Sequence, residues 1–195
     1  MALIRNLLAL IGLLAIIACG VLYTKFSPDV NAFNALDPGA KTVYANMWQK
    51  LKETGNSADA TVVIYPLEEG VSWEDAEEAM FSVANEHNIK NVGSLPLSEQ
   101  VQMMTGEDQR FLKIYQFCNP VTAMKMVDYS DAFSAYLPCR IAMVEGKDGQ
   151  FVLYSLDMDM MIQGGTTLPP DLLEAAVKVK DILTDIMVRG SAGDF

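Results

Sequence analysis

The 195-residue chain has one histidine, three cysteines and no recognisable catalytic or nucleotide-binding signature. It lacks a G-x-S-x-G elbow, a Walker loop and a G-x-G-x-x-G turn, the patterns that expose a serine nucleophile or cradle phosphates. The absence of C-x-x-C and C-x-x-C-H excludes the thioredoxin motif and covalently attached c-type haem. These absences predict a protein that is not an enzyme and holds no cofactor.

Basic residues are also scarce: 14 Lys and Arg stand against 25 Asp and Glu, a net charge of −11. This balance argues against nucleic-acid binding, which needs a basic footprint, and against adsorption on anionic lipid. The mean hydropathy is nevertheless +0.18. The negative charge and the positive mean hydropathy come from different parts of the chain. The first 25 residues contain no acid, whereas the remainder has 12 basic and 25 acidic residues, a net charge of −13.

An uncharged segment of 19 residues, Asn6–Thr24, follows Arg5. Its apolar part, Leu7–Tyr23, spans roughly 26 Å as a helix, near the short end of what crosses a hydrocarbon core about 30 Å thick. We therefore predict a transmembrane anchor over residues 1–26 that contacts the lipid bilayer. The anchoring side chains are Leu7, Leu10, Leu14, Ile17 and Tyr23.

Two other fates fit the same segment. One is a secretory signal peptide, in which Arg5 would be the only basic residue before the apolar run, although that run is long for a cleaved peptide. Ile16–Cys19 resembles a lipobox with Cys19 as the acylated residue. For a retained anchor, the basic residues near the membrane favour a cytoplasmic N-terminus. We expect a single-pass protein of the bacterial inner membrane with its domain in the periplasm.

Residues 27–57 are predicted to form a linker and a stalk helix. Ser27–Leu36 is polar and reads as irregular, and a helix is expected from Asp37, which can act as a cap, to Gly55. Its apolar positions recur at helical spacing. The stripe packs either on its own domain or on a partner beside the membrane. The candidate interface residues are Val43, Met47, Trp48 and Leu51.

Residues 58–195 are predicted to form an α+β domain. Ser72–Asp75 fits a capping box at a helix start, and Leu97–Thr105 reads as a short helix. A further helix is expected from Asn119-Pro120 to about Val127, and a long last helix is expected to end at Gly190. The predicted strands are Thr61–Tyr65, Ile89–Leu95, Phe111–Cys118, Cys139–Glu145 and Gln150–Leu156, the last two forming a hairpin. Strands with interspersed helices indicate a small antiparallel sheet with helices on one face.

Cys118 and Cys139 are the clearest candidates for chemistry, because each lies at the end of a strand beside a proline. Three interpretations stay open: inert buried thiols, a structural disulfide outside the cytosol, and a redox or metal site. By alternation, Cys118 shares a strand face with Leu112 and Ile114, which we expect to be the buried face.

Methionine is abundant, with 12 residues. Thioethers are soft ligands that suit Cu(I), but methionine also fills gaps in cores. Met158 and Met160 would share one face of a strand. His87 is expected at a helix end facing the domain.

Several strings together resemble the domain of unknown function 302 family. Phe117–Pro120 is followed about 20 residues later by Leu137–Ala142 and a Glu145–Gly149 hairpin, and Glu69–Ala76 precedes them. The likeness covers about residues 58–189, and the tail is similar to membrane-anchored members. It implies a TATA-binding-protein-like domain in strand-helix-four-strand-helix order, with dimers in some relatives, so a homo-dimer is one expectation. It implies no established activity.

Two functions are therefore predicted. The first is an extracytoplasmic accessory or binding subunit that docks on a membrane enzyme complex or on a basic electron-transfer partner, since acidic charge accelerates encounter with basic proteins. The alternative is a thiol or soft-metal (copper) module built on the two domain cysteines. The accompanying candidate pocket residues are Asn119, Pro120, Pro138, Arg140 and Met158.

Overall fold

The computed structural model describes residues 1–195 and contains seven α-helices and five strands. The helices are α1 (Ala2–Asn34), α2 (Ala40–Thr54), α3 (Trp73–Glu86), α4 (Leu97–Thr105), α5 (Pro120–Tyr129), α6 (Asp159–Gln163) and α7 (Pro170–Ala192). The strands are β1 (Val62–Pro66), β2 (Lys90–Pro96), β3 (Leu112–Cys118), β4 (Cys139–Glu145) and β5 (Phe151–Leu156). Beyond α2 this is the predicted order, with α6 added.

The strands form one antiparallel sheet in the order β1-β5-β4-β3-β2. β4 and β5 are joined by the expected hairpin, whose Gly149 has φ of 84°, a left-handed conformation that glycine adopts without a steric penalty. The predicted α+β class is confirmed.

Helices α3 and α7 cover one face of the sheet and enclose the main core. Ser72 caps α3 as predicted: its Oγ accepts a hydrogen bond from the Asp75 backbone N–H at 3.1 Å, and the Asp75 carboxylate accepts one from the Ser72 N–H at 3.3 Å. The fully buried side chains of this core include Met80, Val83, Tyr115, Phe117, Ile141, Met143, Leu153, Ile186 and Met187.

The prediction that Gly190 ends the last helix is wrong. α7 continues to Ala192, and Gly193, with φ of 70°, forms the left-handed cap. Gly190 is buried inside the helix, where an added Cβ would lie 2.5 Å from Cγ of Met80. Glycine at position 190 therefore allows α3 and α7 to approach closely, and it does not end the helix.

The N-terminal part is more helical than expected. Instead of an irregular stretch after residue 26, α1 runs on to Asn34 with Pro28 inside it. The proline removes one backbone donor, while the flanking residues keep the helix. α2 begins at Ala40, two residues past the predicted cap region, because Asp37 first closes a turn by accepting the Gly39 N–H at 2.8 Å.

α1 is long and apolar enough to cross a membrane, and none of its residues is buried against the domain. All five predicted anchoring side chains are exposed on it, with Leu7, Leu10, Leu14 and Ile17 between 53% and 58% and Tyr23 at 75%. These side chains therefore leave an apolar surface exposed along a helix that is a candidate membrane span.

Candidate functional site

Residues from β3, β4, α5, α6 and α7 surround a small, mostly apolar cavity at one end of the sheet. Five of the side chains that line it carry sulfur: Cys118, Met126, Cys139, Met158 and Met161. We call it the sulfur cavity. The rest of its wall comprises Asn119, Thr122, Ala123, Phe133, Leu137, Ala176 and Val179.

Strand ends place the two cysteines at this cavity. Cys118 is the last residue of β3 and Cys139 the first of β4, and Cys139 is paired in register with Phe117. Asn119 then begins α5 by accepting the Thr122 N–H on its side-chain oxygen at 3.1 Å. The turn from β3 into α5 thus forms one wall.

The methionines reach the cavity from two helices. Met126 lies buried on α5. Met158 immediately precedes α6 and Met161 lies within it, three residues apart and so on one side of a helical turn. Lys180 of α7 forms an ion pair with Asp159, which ties α6 to α7.

The expectation that Met158 and Met160 share a strand face is wrong. β5 ends at Leu156, and the Asp157 side chain accepts the Asp159 N–H at 3.0 Å. This turn starts α6, so the side chains beyond it follow the helical repeat of about 3.6 residues instead of the two-residue repeat of a strand. Met161 therefore joins Met158, while Met160 is 38% exposed and lines the neighbouring openings.

Burial raises the pKa of both thiols. The pKa of Cys139 rises from 9.0 to about 11, chiefly by desolvation and secondly because a charge on Cys118 would repel its thiolate. Desolvation also raises the pKa of Cys118. Both thiols are therefore protonated at neutral pH, and neither is poised as a nucleophile.

The two thiols are free in this structure. Cys118 lies one residue beyond the partner of Cys139, so strand spacing puts their Cα atoms roughly 6 Å apart, inside the range that a disulfide spans. Both side chains line the sulfur cavity, and neither is bonded to the other in this structure. The disulfide interpretation therefore stays open.

A second, larger pocket adjoins the sulfur cavity and shares Cys139, Met158 and Met161 with it. Its volume is about 230 Å³. Arg140, one of the predicted pocket residues, lies here. The three shared sulfur residues therefore form the common wall of the two spaces.

Other predicted residues lie outside both spaces. Pro120 is exposed at the start of α5, and Pro138 is half-buried after a cis peptide bond; neither lines a pocket. His87 follows α3 and meets Asp185 of α7 at 2.7 Å, away from the sulfur residues. No group of three or more His, Cys, Asp or Glu is placed to hold a metal ion.

The outward face of the sheet is apolar, and α4 borders it at Leu112 and Val144. The pairing register aligns one row across all five strands: Ile64, Tyr154, Ala142, Ile114 and Leu95. A second row consists of Pro66, Val152, Val144 and Leu112. None of these side chains is buried. We call these two rows the open sheet face.

This face corrects the prediction for Cys118. The face that Leu112 and Ile114 share with Cys118 is the open one, and the buried face of β3 carries Tyr115 and Phe117. Because β3 is apolar on both faces, alternation alone could not tell which side meets the core.

The stalk helix α2 lies against its own domain. The Tyr44 hydroxyl donates to the Gly164 carbonyl oxygen at 2.7 Å, and Lys50 Nζ donates to the Val62 carbonyl oxygen at 3.0 Å. Val43 and Met47 line a groove shared with residues from the domain. Of the remaining candidates, Leu51 is half-buried and Trp48 is 59% exposed.

Comparison with known proteins now places this fold. A family model described as "Domain of unknown function DUF302" matches residues 64–189, well over half of the chain. The chain belongs to the DUF302 family. A crystal structure of an uncharacterized conserved DUF302 protein from Bacillus stearothermophilus is similar with a TM-score of 0.53 and 15% identity, covering 66% of this chain and 97% of that one. No protein of curated function matches the chain.

The matched DUF302 region contains all five sulfur-bearing residues of the cavity as well as the open sheet face, whereas α1 and α2 precede it. Sequence reasoning found Cys118, Asn119, Cys139 and Met158 of the cavity. It did not assign Met126 and Met161 to it. The three-residue spacing of Met158 and Met161 was the available signal, and it was hidden by reading that segment as a strand.

Proposed function

We propose that this DUF302 protein is a membrane-anchored accessory subunit that docks a positively charged partner protein on its open sheet face. The observation that carries the proposal is the row from Ile64 to Leu95, which is apolar on all five strands and lacks any buried member. Monomeric proteins rarely leave a contiguous apolar patch of this kind uncovered, and such patches mark interaction sites.

The acidic charge of the domain favours a basic partner protein. The chain beyond residue 25 has a net charge of −13, and an acidic protein attracts a basic one over distances of about a Debye length. A basic electron-transfer protein or a basic subunit of a membrane enzyme complex has the required chemistry. Encounter would be slowed by added salt, whereas the apolar centre of the contact would be much less sensitive.

The anchor restricts where docking takes place. In the proposed arrangement α1 is a single span of the bacterial inner membrane, the N-terminus is cytoplasmic, and the domain lies in the periplasm. Arg5 and the N-terminal amine before the apolar run, against Lys25 alone directly after it, support this orientation. In this arrangement the helical residues from Tyr23 to Asn34 would separate the domain from the apolar span by roughly 16 Å.

Site-specific photo-cross-linking tests the proposal. A photoreactive amino acid at Ile64, on the open sheet face, is compared with one at Val188 of α7; both side chains are 45% exposed. In native membranes we expect a defined heterologous adduct from position 64, reduced by salt, and none from position 188.

Substitutions that introduce positive charge on this face provide a complementary test of docking. Ile64→Lys combined with Leu156→Lys places two cations on exposed, outward positions of β1 and β5, and we expect it to abolish a cross-link formed from Ile114. Val188→Lys is the matched control and should leave that cross-link intact. An adduct of twice the 21.4 kDa chain mass would assign the face to a second copy, and equal labelling from both positions would contradict a specific dock.

A further inference from the structure

The lining of the sulfur cavity is chemically selective. Five of its 12 lining residues contribute a thiol or a thioether, and no carboxylate, imidazole, lysine or arginine is among them. Thiols and thioethers are soft donors that prefer Cu(I), while oxygen-rich sites suit magnesium, calcium or manganese. The donor set therefore points away from hard cations.

The size of the cavity points to an ion. Its free volume is about 30 Å³, close to the share of one water molecule in the liquid. Pockets for drug-sized organic ligands measure about 300–1,000 Å³. One metal ion fits this space, whereas a drug-sized organic molecule does not.

Charge further narrows the class of ion. The cavity wall is predominantly apolar, and a net charge is expensive in such surroundings. A monovalent cation held by one thiolate and two neutral thioethers forms a complex with no net charge. Zn²⁺ with the same three donors would leave a buried positive charge, and structural zinc sites use thiolate and imidazole ligands instead of thioethers.

We propose that the sulfur cavity binds one Cu(I) ion through Cys139, Met158 and Met161, the three sulfur residues that it shares with the larger adjoining pocket. Cu(I) enters as the monovalent ion, the Cys139 S–H bond breaks, a Cu–S bond forms, and the proton passes to solvent through that pocket. No electron is transferred. Cys118 and Met126 supply the other two sulfur atoms of the cavity lining.

This site is independent of the proposed dock, because it lies at the end of the sheet and uses none of the residues of the open sheet face. Absence of cross-links from Ile64 would leave the copper site standing. Absence of copper binding would likewise leave the docking proposal standing.

The test is anaerobic Cu(I) titration of the full-length chain in detergent, against a chromophoric Cu(I) chelator. A Cys19→Ser parent removes the one thiol outside the cavity, since Cys19 is exposed on α1. We expect one Cu(I) per chain with an all-sulfur shell in X-ray absorption, competition by Ag(I), and no competition by equimolar Zn(II).

Variants of the proposed methionine ligands are compared with variants of exposed methionines outside the cavity. Met158→Leu and Met161→Leu conserve volume and keep the fold, so they remain informative if Cys139→Ser unfolds the domain. Each should weaken Cu(I) binding by roughly tenfold or more, at least the loss that follows removal of a residue merely supporting a ligand. Met103→Leu and Met104→Leu change exposed α4 residues, 76% and 86% accessible, and should change nothing.

Three outcomes would overturn the proposal. One is a parent chain that releases all Cu(I) to the chelator. Another is unchanged affinity in both Met158→Leu and Met161→Leu. The last is occupation of the site by Zn(II) in preference to Cu(I).

Discussion

Glu77 is the residue on which α3 and β3 meet through polar contacts. Its Oε2 accepts hydrogen bonds from Lys113 Nζ and from the Tyr115 hydroxyl, each at 2.5 Å. Tyr115 is fully buried, and burial followed by this hydrogen bond raises the pKa of its phenol. Removing the acceptor strands a buried donor, which costs more than the bond itself contributes.

We therefore expect Glu77→Ala to lower the free energy of unfolding by about 1–3 kcal/mol in chemical denaturation. Glu77→Gln should cost less, because its amide oxygen still accepts from Tyr115. Glu78→Ala, the exposed neighbour, is the control and should stay within about 0.5 kcal/mol. Equal effects at the two positions would show that the Glu77 contacts do not contribute to stability.

The Cys139 thiol predicts a pH dependence of stability. Its pKa is about 11 in the folded chain against an ordinary 9.0, so the folded state holds a proton that the unfolded state releases first. The contribution of this group is fully present below pH 9 and is lost as the pH rises towards 11. The Cys139→Ala chain should lose less stability than the parent between pH 9 and 11 in denaturant titrations. If the free energy of unfolding falls equally in both chains over this range, the raised pKa of Cys139 is contradicted.

At the scale of elements, the α3–α7 contact depends on the absence of a side chain at Gly190. Glycine within a helix usually costs about 1 kcal/mol relative to alanine, so Gly190→Ala would be stabilising at an open site. Here the new Cβ meets Met80 Cγ at 2.5 Å, and overpacking typically costs about 1–3 kcal/mol. We expect net destabilisation of about 1 kcal/mol by thermal unfolding.

A double-mutant cycle checks the cause. In a Met80→Ala background the obstructing Cγ is gone, and Gly190→Ala should become neutral or stabilising. If Gly190→Ala is equally harmful with and without Met80, the crowding explanation fails.

Sequence patterns predicted the elements better than their partners. All five strands, the Ser72 cap, the hairpin and the helix over Leu97–Thr105 followed from periodicity and turn residues. The buried side of β3 did not, because both of its faces are apolar and only tertiary packing decides between them. The residue that ends α7 was also missed, since a glycine for close packing and a glycine for a cap look alike in sequence.

The candidate site shows the same limit. The two cysteines were identified from their prolines and strand ends, because those signals are local. Met161 entered the cavity only because Asp157 ends β5 and starts α6, a local turn that changed the periodicity. Met126 is brought in by the packing of α5 against α7, a long-range contact that one sequence cannot report.

At the scale of the whole molecule, the sheet divides the domain into two unlike surfaces. α3 and α7 bury one face, and the other face keeps its apolar rows half-exposed. The sulfur cavity lies at the end of the sheet, bounded by α5, α6 and α7. The proposed docking surface and the proposed ion site therefore lie in separate places on the domain.

The nature of that tether is the remaining whole-molecule prediction, and Cys19 distinguishes the alternatives. For a retained anchor, the chain extracted from membranes should have the intact mass of the 21.4 kDa polypeptide, and Cys19→Ser should leave both membrane retention and processing unchanged. Because α1 continues unbroken through Cys19 to Asn34, this outcome keeps the domain on one continuous helix. Intact-mass spectrometry with alkaline extraction of the membranes provides the measurement.

Each alternative fate of the segment has a different mass. Loss of residues 1–18 with a lipid on the new N-terminal cysteine, abolished by Cys19→Ser, would identify a lipoprotein and make residues 20–34 a linker instead of a span. Loss of the segment without a lipid would identify a secretory signal and release the domain. In that case two-dimensional confinement could not raise its encounter rate with a membrane partner, and docking on the open sheet face would have to rest on affinity in solution alone.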